Sequence, residues 1–385
     1  MYKRLLDLGL WRKASCFLWG ARKTGKTTLL KSLFPKARYY DLLLSDEYSR
    51  FIKRPSLLRE ECEAEGLTGE TQKEPVIIDE VQKIPTLLNE IHWLIENKRL
   101  RFILCGSSAR KLKRGHANLL GGRAIRYELY PLVYPEIRNF SLIKALNNGL
   151  IPDHYSGSVP ARLLQAYVGD YLKEEIAAES LVRNVPVFSR FLEIAALSNG
   201  EMVNFNNIAR ECGVSAPSIK EYFQILEDTL TGRFLPAYRK KMKRRLVHAP
   251  KFYMFDIGAV SYLTKRGLVE PGSELFGKAF EHFIYCELAA HSAYSGLFYP
   301  VSYWRTASQF EVDFILGEHE VAVEVKASAF INENHLRGMK AFQEEYPARH
   351  YLIVSLDPKP RRIKNIEVLP WPVFLERLWS GRIIT

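Results

Sequence analysis

Residues Gly20, Ala21, Arg22, Lys23, Thr24, Gly25, Lys26 and Thr27 read G-x-x-x-x-G-K-T, the spacing of a phosphate-binding loop. Its glycines let successive backbone N–H groups turn into one concavity, where they can wrap a polyphosphate. The ammonium of Lys26 would reach the β- and γ-phosphates. The hydroxyl of Thr27, with Thr28 beside it, would hold Mg2+. Such a loop needs a strand before it and a helix after it. Residues 16–19 form a short apolar run suited to a buried strand, and residues 28–34 have helical apolar spacing that Pro35 ends.

A second element completes the chemistry. Residues 75–78 are a β-branched run that ends in Asp79 and Glu80, which reads as a central parallel strand delivering carboxylates at its carboxyl edge. Asp79 would hold Mg2+ through water, and Glu80 would polarise the attacking water. A third strand, 101–105, ends in Gly106, Ser107 and Ser108; the hydroxyl of Ser107 lies where a sensor of the γ-phosphate is expected. Arg123 is the candidate to reach a transferred phosphate, in cis or in trans, with Arg110 competing for that role.

A separate set of charged residues lies near the other end of the chain. Two alternating strands, 311–316 and 321–326, flank a four-residue turn. Pairing Leu316 with Val321 sets the register and brings Asp313 opposite Glu324, whose Cβ atoms would be about 5 Å apart. Lys326 shares a face with Glu324. Two carboxylates so close call for a cation between them. Mg2+ fits, with Lys326 positioning or activating a water. A helix over 278–288 could bring Glu281 to the same place.

Length and composition set the frame. The chain has 385 residues, 47% apolar and 25% charged, enough for two or three domains of ordinary globular type. A formal charge of +12 favours a polyanionic partner, with nucleic acid first. There is no apolar run long enough to span a membrane and no secretory leader pattern at the start. The cysteines, at 16, 62, 105, 212 and 286, lack metal-ligand spacing, as do the histidines, so reduced thiols and a cytoplasmic setting are expected.

The expected fold class is α/β: a P-loop parallel-sheet domain over 1–145, a helical winged-helix domain over 146–270, and a C-terminal α/β domain over 271–385. The turn-rich stretch 147–154 and the sequence Pro271, Gly272, Ser273 mark the boundaries. Residues 204–227 carry a helix-turn-helix pattern: Gly213 suits a tight turn, Ser215 caps the second helix, Pro217 sits in its first turn, and Ile219, Phe223 and Leu226 form its buried face. Beyond it, Arg239, Lys240, Lys241, Lys243, Arg244 and Arg245 put six cations into seven positions. As a β-wing, this segment would supply DNA contact through phosphates. As a dock or a solvated hairpin, it would not.

With these residues in view, the chain resembles the prokaryotic AAA-type ATPases whose second motif reads D-E-x-Q, here Asp79, Glu80, Val81 and Gln82. The stretch Gly106 to Leu112, then Leu120, Gly121, Gly122, Arg123 and Ala124, and then Pro131, Leu132, Tyr134 and Glu136, follow in that family's order. The resemblance implies ATP and Mg2+ as cofactors. The helical Glu281, Asp313 and the E-x-K of Glu324 and Lys326 look like the PD-(D/E)xK nuclease core, although Val312 replaces the usual proline. That likeness implies metal binding by Asp313 and Glu324 and catalytic support from Glu281 and Lys326. Three functions remain open: an ATPase that controls a Mg2+-dependent nuclease on DNA, an ATP-driven switch whose nuclease-like domain does not cut, and a protein-interaction scaffold. Use of Arg123 in trans would require a homo-oligomer.

Overall fold

The computed structural model describes residues 2–108, 110, 112, 120–172, 184–238 and 244–385. Five short runs form the first sheet: β1 (Ser15–Trp19), β2 (Tyr39–Asp41), β3 (Val76–Asp79), β4 (Phe102–Gly106) and β5 (Ala124–Glu128), in the order β2-β3-β4-β1-β5. All four pairings are parallel. Strands β1, β3 and β4 are buried along their whole length, as a sheet covered on both faces requires. Helices α1 (Lys26–Leu33), α2 (Ser45–Lys53), α3 (Leu57–Ala64) and α4 (Leu87–Lys98) accompany it. Because the strands are parallel, their carboxyl ends share one edge, the place where an open α/β sheet builds its ligand crevice.

The middle of the chain is helical: α5 (Leu142–Asn148), α6 (Pro152–Ser156), α7 (Pro160–Leu164), a π-helical stretch (Gln165–Leu172), α8 (Val185–Leu197), α9 (Phe205–Cys212), α10 (Ala216–Asp228) and α11 (Ile257–Leu263). An antiparallel strand pair, β6 (Gly232–Leu235) and β7 (Lys251–Met254), lies among them. The α9–α10 turn has the expected chemistry. Gly213 is left-handed at φ 69°, and the Ser215 side chain accepts from Ser218 N. Ile219, Phe223 and Leu226 are buried.

The turn-rich stretch 147–154 is the end of α5, a short turn and the start of α6. Asp256 seals it: its Oδ1 accepts from Leu150 N at 2.6 Å, and a Cβ on Gly149 would fall 2.2 Å from Asp256 Oδ2. Polarity in the sequence marked a turn, and the turn is packed.

The last region comprises α12 (Glu274–Tyr294), β8 (Val301–Arg305), β9 (Glu311–Leu316), β10 (Val321–Lys326), α13 (Arg337–Gln343), β11 (His350–Ser355), β12 (Arg361–Ile363), β13 (Ile366–Pro370) and α14 (Trp371–Trp379). Its six-stranded mixed sheet runs β12-β13-β11-β10-β9-β8. One apolar cluster joins it to what precedes it, with Leu132, Leu146 and Tyr155 packed in common with Phe283, Phe314 and Leu375.

The basic run expected as a wing is described only at Arg244 and Arg245. Residues 239–243 lie outside the described residues. The residues on either side of them lie along β8. Tyr238 N donates to Tyr303 O at 2.7 Å, Val247 N to Arg305 O at 2.9 Å, and Ala307 N to Arg245 O at 2.8 Å. Arg244 is spent on ion pairs with Glu344 and, at 2.6 Å, with Glu345. An edge strand with unpaired backbone groups is a more demanding partner than solvent.

The N-terminal arm is pinned by Arg4. Its Nε lies 2.8 Å from Glu136 Oε2, its Nη1 donates to Thr24 O at 2.6 Å, and its Nη2 donates to Tyr130 O at 2.7 Å. Both charged side chains are almost wholly buried. Removing one partner of such a pair strands the other, at about 3–5 kcal/mol. Arg4→Ala should therefore lower the urea midpoint of unfolding by an amount equivalent to about 3 kcal/mol; a midpoint like that of the parent would show the arm to be dispensable. Among the described residues, no helix is long and apolar enough to cross a membrane.

Candidate functional site

The loop between β1 and α1 is shaped by its glycines. Gly25 is left-handed at φ 93°, and a Cβ on Gly20 would stand 2.6 Å from Leu129 O. Lys26 is buried and folds back over the loop, donating to Gly20 O at 2.7 Å and Ala21 O at 3.0 Å. Thr24 Oγ1 donates to Ala21 O at 2.8 Å, and Arg22 O accepts from Tyr167 OH at 3.2 Å. Lys23 takes a left-handed φ of 60°, and Thr28 follows in the first turn of α1. The α1 amino end thus aims its free N–H groups at the space the loop encloses.

The neighbouring strand ends supply the acids. Thr27 Oγ1 donates to Asp79 Oδ2 at 2.7 Å, and the Tyr39 hydroxyl donates to the same oxygen. Burial and the Asp79 carboxylate push the Tyr39 phenol upward, so it stays a donor. A hydroxyl and a carboxylate this close are hard oxygen donors suited to Mg2+. Glu80 sits in a left-handed conformation, φ 57°, with its N–H on Asp79 Oδ1 at 3.0 Å. Gln82 Nε2 donates both to Glu80 Oε2 and, at 3.1 Å, to Ser107 Oγ. This explains why position 106 is glycine: a Cβ there would lie 2.2 Å from Gln82 Oε1.

Lys26, Thr27, Asp79, Glu80 and Ser107 are thus gathered at one edge. Arg123 is not. Ala124 pairs with Ser15, the first residue of β1, so Arg123 stands at the amino edge, a strand length of about 16 Å from the loop. It pairs with Glu96 of α4 at the surface. In this arrangement it stands well away from the loop of its own chain. Arg110 is buried against α10, 3.2 Å from Asp228 and 3.5 Å from Glu221. Ser108 Oγ donates to Asp228 O at 3.3 Å. Ser108 and Arg110 are therefore clasped by α10.

The C-terminal pocket is built on the predicted hairpin. Leu316 pairs with Val321, and the ladder runs to Phe314–Val323. It stops there because Asp313 Oδ2 accepts from Val325 N at 2.7 Å. Against β8, the register slips by one residue between Ser302–Ile315 and Trp304–Val312, leaving Asp313 and Phe314 of β9 opposite Tyr303. Such a bulge re-aims a side chain, and here it lies at Asp313. Lys326 Nζ is 2.5 Å from Glu324 Oε1, while Glu324 Oε2 is buried without a partner. Burial, then repulsion from Glu281, raises the Asp313 carboxyl; burial, then repulsion from Asp313, raises that of Glu324. The pair is short of positive charge, so a divalent cation fits it.

Glu281 faces this pocket from α12 but is already engaged. Tyr253 OH donates to its Oε1 at 2.5 Å, and Lys251 Nζ lies 3.3 Å from it. Among the described residues, no three His, Cys, Asp or Glu side chains converge as a ready-made metal cage. Sequence reasoning passed over Lys251, Tyr253 and Glu311, and Tyr39 at the other site. Lys251 and Tyr253 alternate on one face of β7, and a lysine opening an apolar strand is the signal that could have found them.

Residues 12–138 match the family described as an AAA domain. Residues 139–269 match a Domain of unknown function (DUF8612), and residues 276–374 another (DUF4143). No curated protein matches the chain. Among solved structures, the ORC1 protein of Aeropyrum pernix in complex with DNA is 13% identical over 66% of this chain and 87% of that one, with a TM-score of 0.24. A Signal Transduction ATPase with Numerous Domains from Pyrococcus horikoshii, with a tetratricopeptide repeat sensor, is 13% identical over 75% of this chain, with a TM-score of 0.22. This chain spans 46% of that protein's length. Both likenesses are too loose to bear on function.

Proposed function

We propose, from the premise that the N-terminal region is an AAA-type P-loop ATPase domain, that the chain binds and hydrolyses ATP and uses the nucleotide state to govern a Mg2+-dependent, nuclease-like site acting on DNA. The observation that carries this reading is the buried Asp313–Glu324 pair with Lys326 at its side and one carboxylate oxygen unpartnered. Such a pair is costly unless a cation joins it. In the reaction, Asp313 and Glu324 would hold the metal and Lys326 would orient the attacking water. Bound metal would supply Lewis-acid stabilisation of charge on the scissile phosphate.

At the nucleotide edge, Thr27 and Asp79 would hold Mg2+, Lys26 the phosphates, Glu80 the water and Ser107 the γ-phosphate. Arg123 would serve a neighbouring copy. Support for coupling comes from the clasp of Ser108 and Arg110 on α10, since α10 leads directly into β6 and its partner β7. The three-part division at about 145 and 270 and a cytoplasmic setting belong to the same reading. Arg244 is engaged by Glu345, just beyond α13, so DNA as a partner is supported by the net charge of +12 more than by the basic run.

The test is incubation with plasmid and linear DNA plus Mg2+ or Mn2+, with and without ATP. Cleavage that depends on ATP supports the reading. Intact DNA under every condition, with ATP turnover preserved, leaves the alternative of an ATP-driven switch, which the cationic neutralisation of Glu281 and Glu324 by Lys251 and Lys326 favours. Glu80→Gln should keep the affinity for ATP and slow turnover about 100-fold or more, the scale expected of a lost general base. Turnover at the parental rate would remove Glu80 from the role.

A further inference from the structure

The C-terminal pocket carries a cation that its own hairpin does not supply. Lys251 opens β7, in the middle region of the chain, and is only 4% exposed. Its Nζ lies 2.7 Å from Glu311 Oε1 and 3.3 Å from Glu281 Oε1. Tyr253, on the same strand face, closes on Glu281 Oε1 as well. Glu311 is held on its other oxygen by Arg305 at 2.6 Å. The acids of the pocket therefore fall into two sets. Glu281 and Glu311 are satisfied by side chains of the protein. Asp313 and Glu324 have Lys326, Asp313 also lies in the field of Lys251, and an oxygen of Glu324 is left with nothing.

We propose that Lys251 is a built-in counter-ion that holds the place of one divalent cation beside Glu281, so that the pocket is left to bind metal at Asp313 and Glu324 alone. Two-metal phosphoryl-transfer sites keep their ions about 4 Å apart by sharing carboxylates. A second ion here would have to draw Glu281 away from Lys251 and then sit against its ammonium. Lysine suits the task because it is a compact point charge that a carboxylate pair can enclose. The inference rests on the reading of this pocket as a metal site, and its test separates the two.

Mn2+ is titrated into the nucleotide-free full chain, with free ion followed by electron paramagnetic resonance, for the parent, Lys251→Met and Lys251→Arg. Each is repeated with Asp313→Asn and with Glu281→Gln. Ions insensitive to both are assigned to the nucleotide edge. Lys251→Met should bind one more Mn2+ than the parent, the extra ion disappearing with Glu281→Gln, and Lys251→Arg should add none. Equal or lower binding in Lys251→Met overturns the proposal. An Asp313-dependent ion in the parent keeps the metal reading whatever Lys251→Met does, and its absence removes that reading for the unaltered protein. Affinity for an ATP analogue reports that each variant is folded. Should Lys251→Met fail that control, Lys251→Gln, which retains a polar head, carries the same expectation.

Discussion

Lys26→Ala should weaken binding of a non-hydrolysable ATP analogue by at least about 100-fold, since a lysine makes charge-assisted bonds to phosphate of about 1.5–3 kcal/mol each and would make two. The side chain is preorganised: it is buried and already lies over the loop, against Gly20 O and Ala21 O. Removing it loses those two bonds and the positive charge together. Lys26→Arg should not rescue the variant, because a wide planar head cannot replace a point charge in a cradle this narrow. Calorimetric titration with parental affinity in Lys26→Ala would refute the assignment of the loop.

Asp313→Ala should reduce metal-dependent cleavage of DNA by about 1,000-fold or more, because the metal supplies several kcal/mol of charge stabilisation. Asp313 also accepts from Val325 N, so Asp313→Asn, which keeps an acceptor there, is the better variant for separating metal loss from damage to the hairpin. Cleavage at the parental rate in both would end the nuclease reading. The pocket also has a pH signature. Both carboxyls are raised above the ordinary carboxylate range by burial and by the neighbouring acids, and a metal needs both ionised. Affinity for Mn2+ should therefore rise with pH above that range, by up to about tenfold per unit where one proton is displaced. In the metal-free protein the sign reverses. A carboxyl raised by folding favours the fold while protonated, and that contribution is lost as pH climbs toward the folded values.

Features that rest on contiguous residues could be read before folding. The loop, its flanking strand and helix, and the Leu316–Val321 register depend on local periodicity and turn chemistry, and they stand as expected. Other features depend on partners far away in the chain. Nothing near Arg123 tells that β5 will lie beside β1 and carry it to the far edge. Nothing near Arg244 reveals Glu345. The bulge at Asp313 and the ladder that ends there arise from β8 and from Val325. Lys251 reads as one basic residue among many until β7 is set against α12 and β9. Such long-range charge partners leave no periodic trace.

The strip of chain along β8 has a consequence for the order of events in folding. A sheet edge left open is a template for other strands, including those of other molecules. Here the covering segments, around Tyr238 and Val247, precede the sheet in the sequence. During synthesis from the amino end they are made before β8. The segments that cover this edge are thus already made when it forms, which shortens the time it stands open to strands of other molecules.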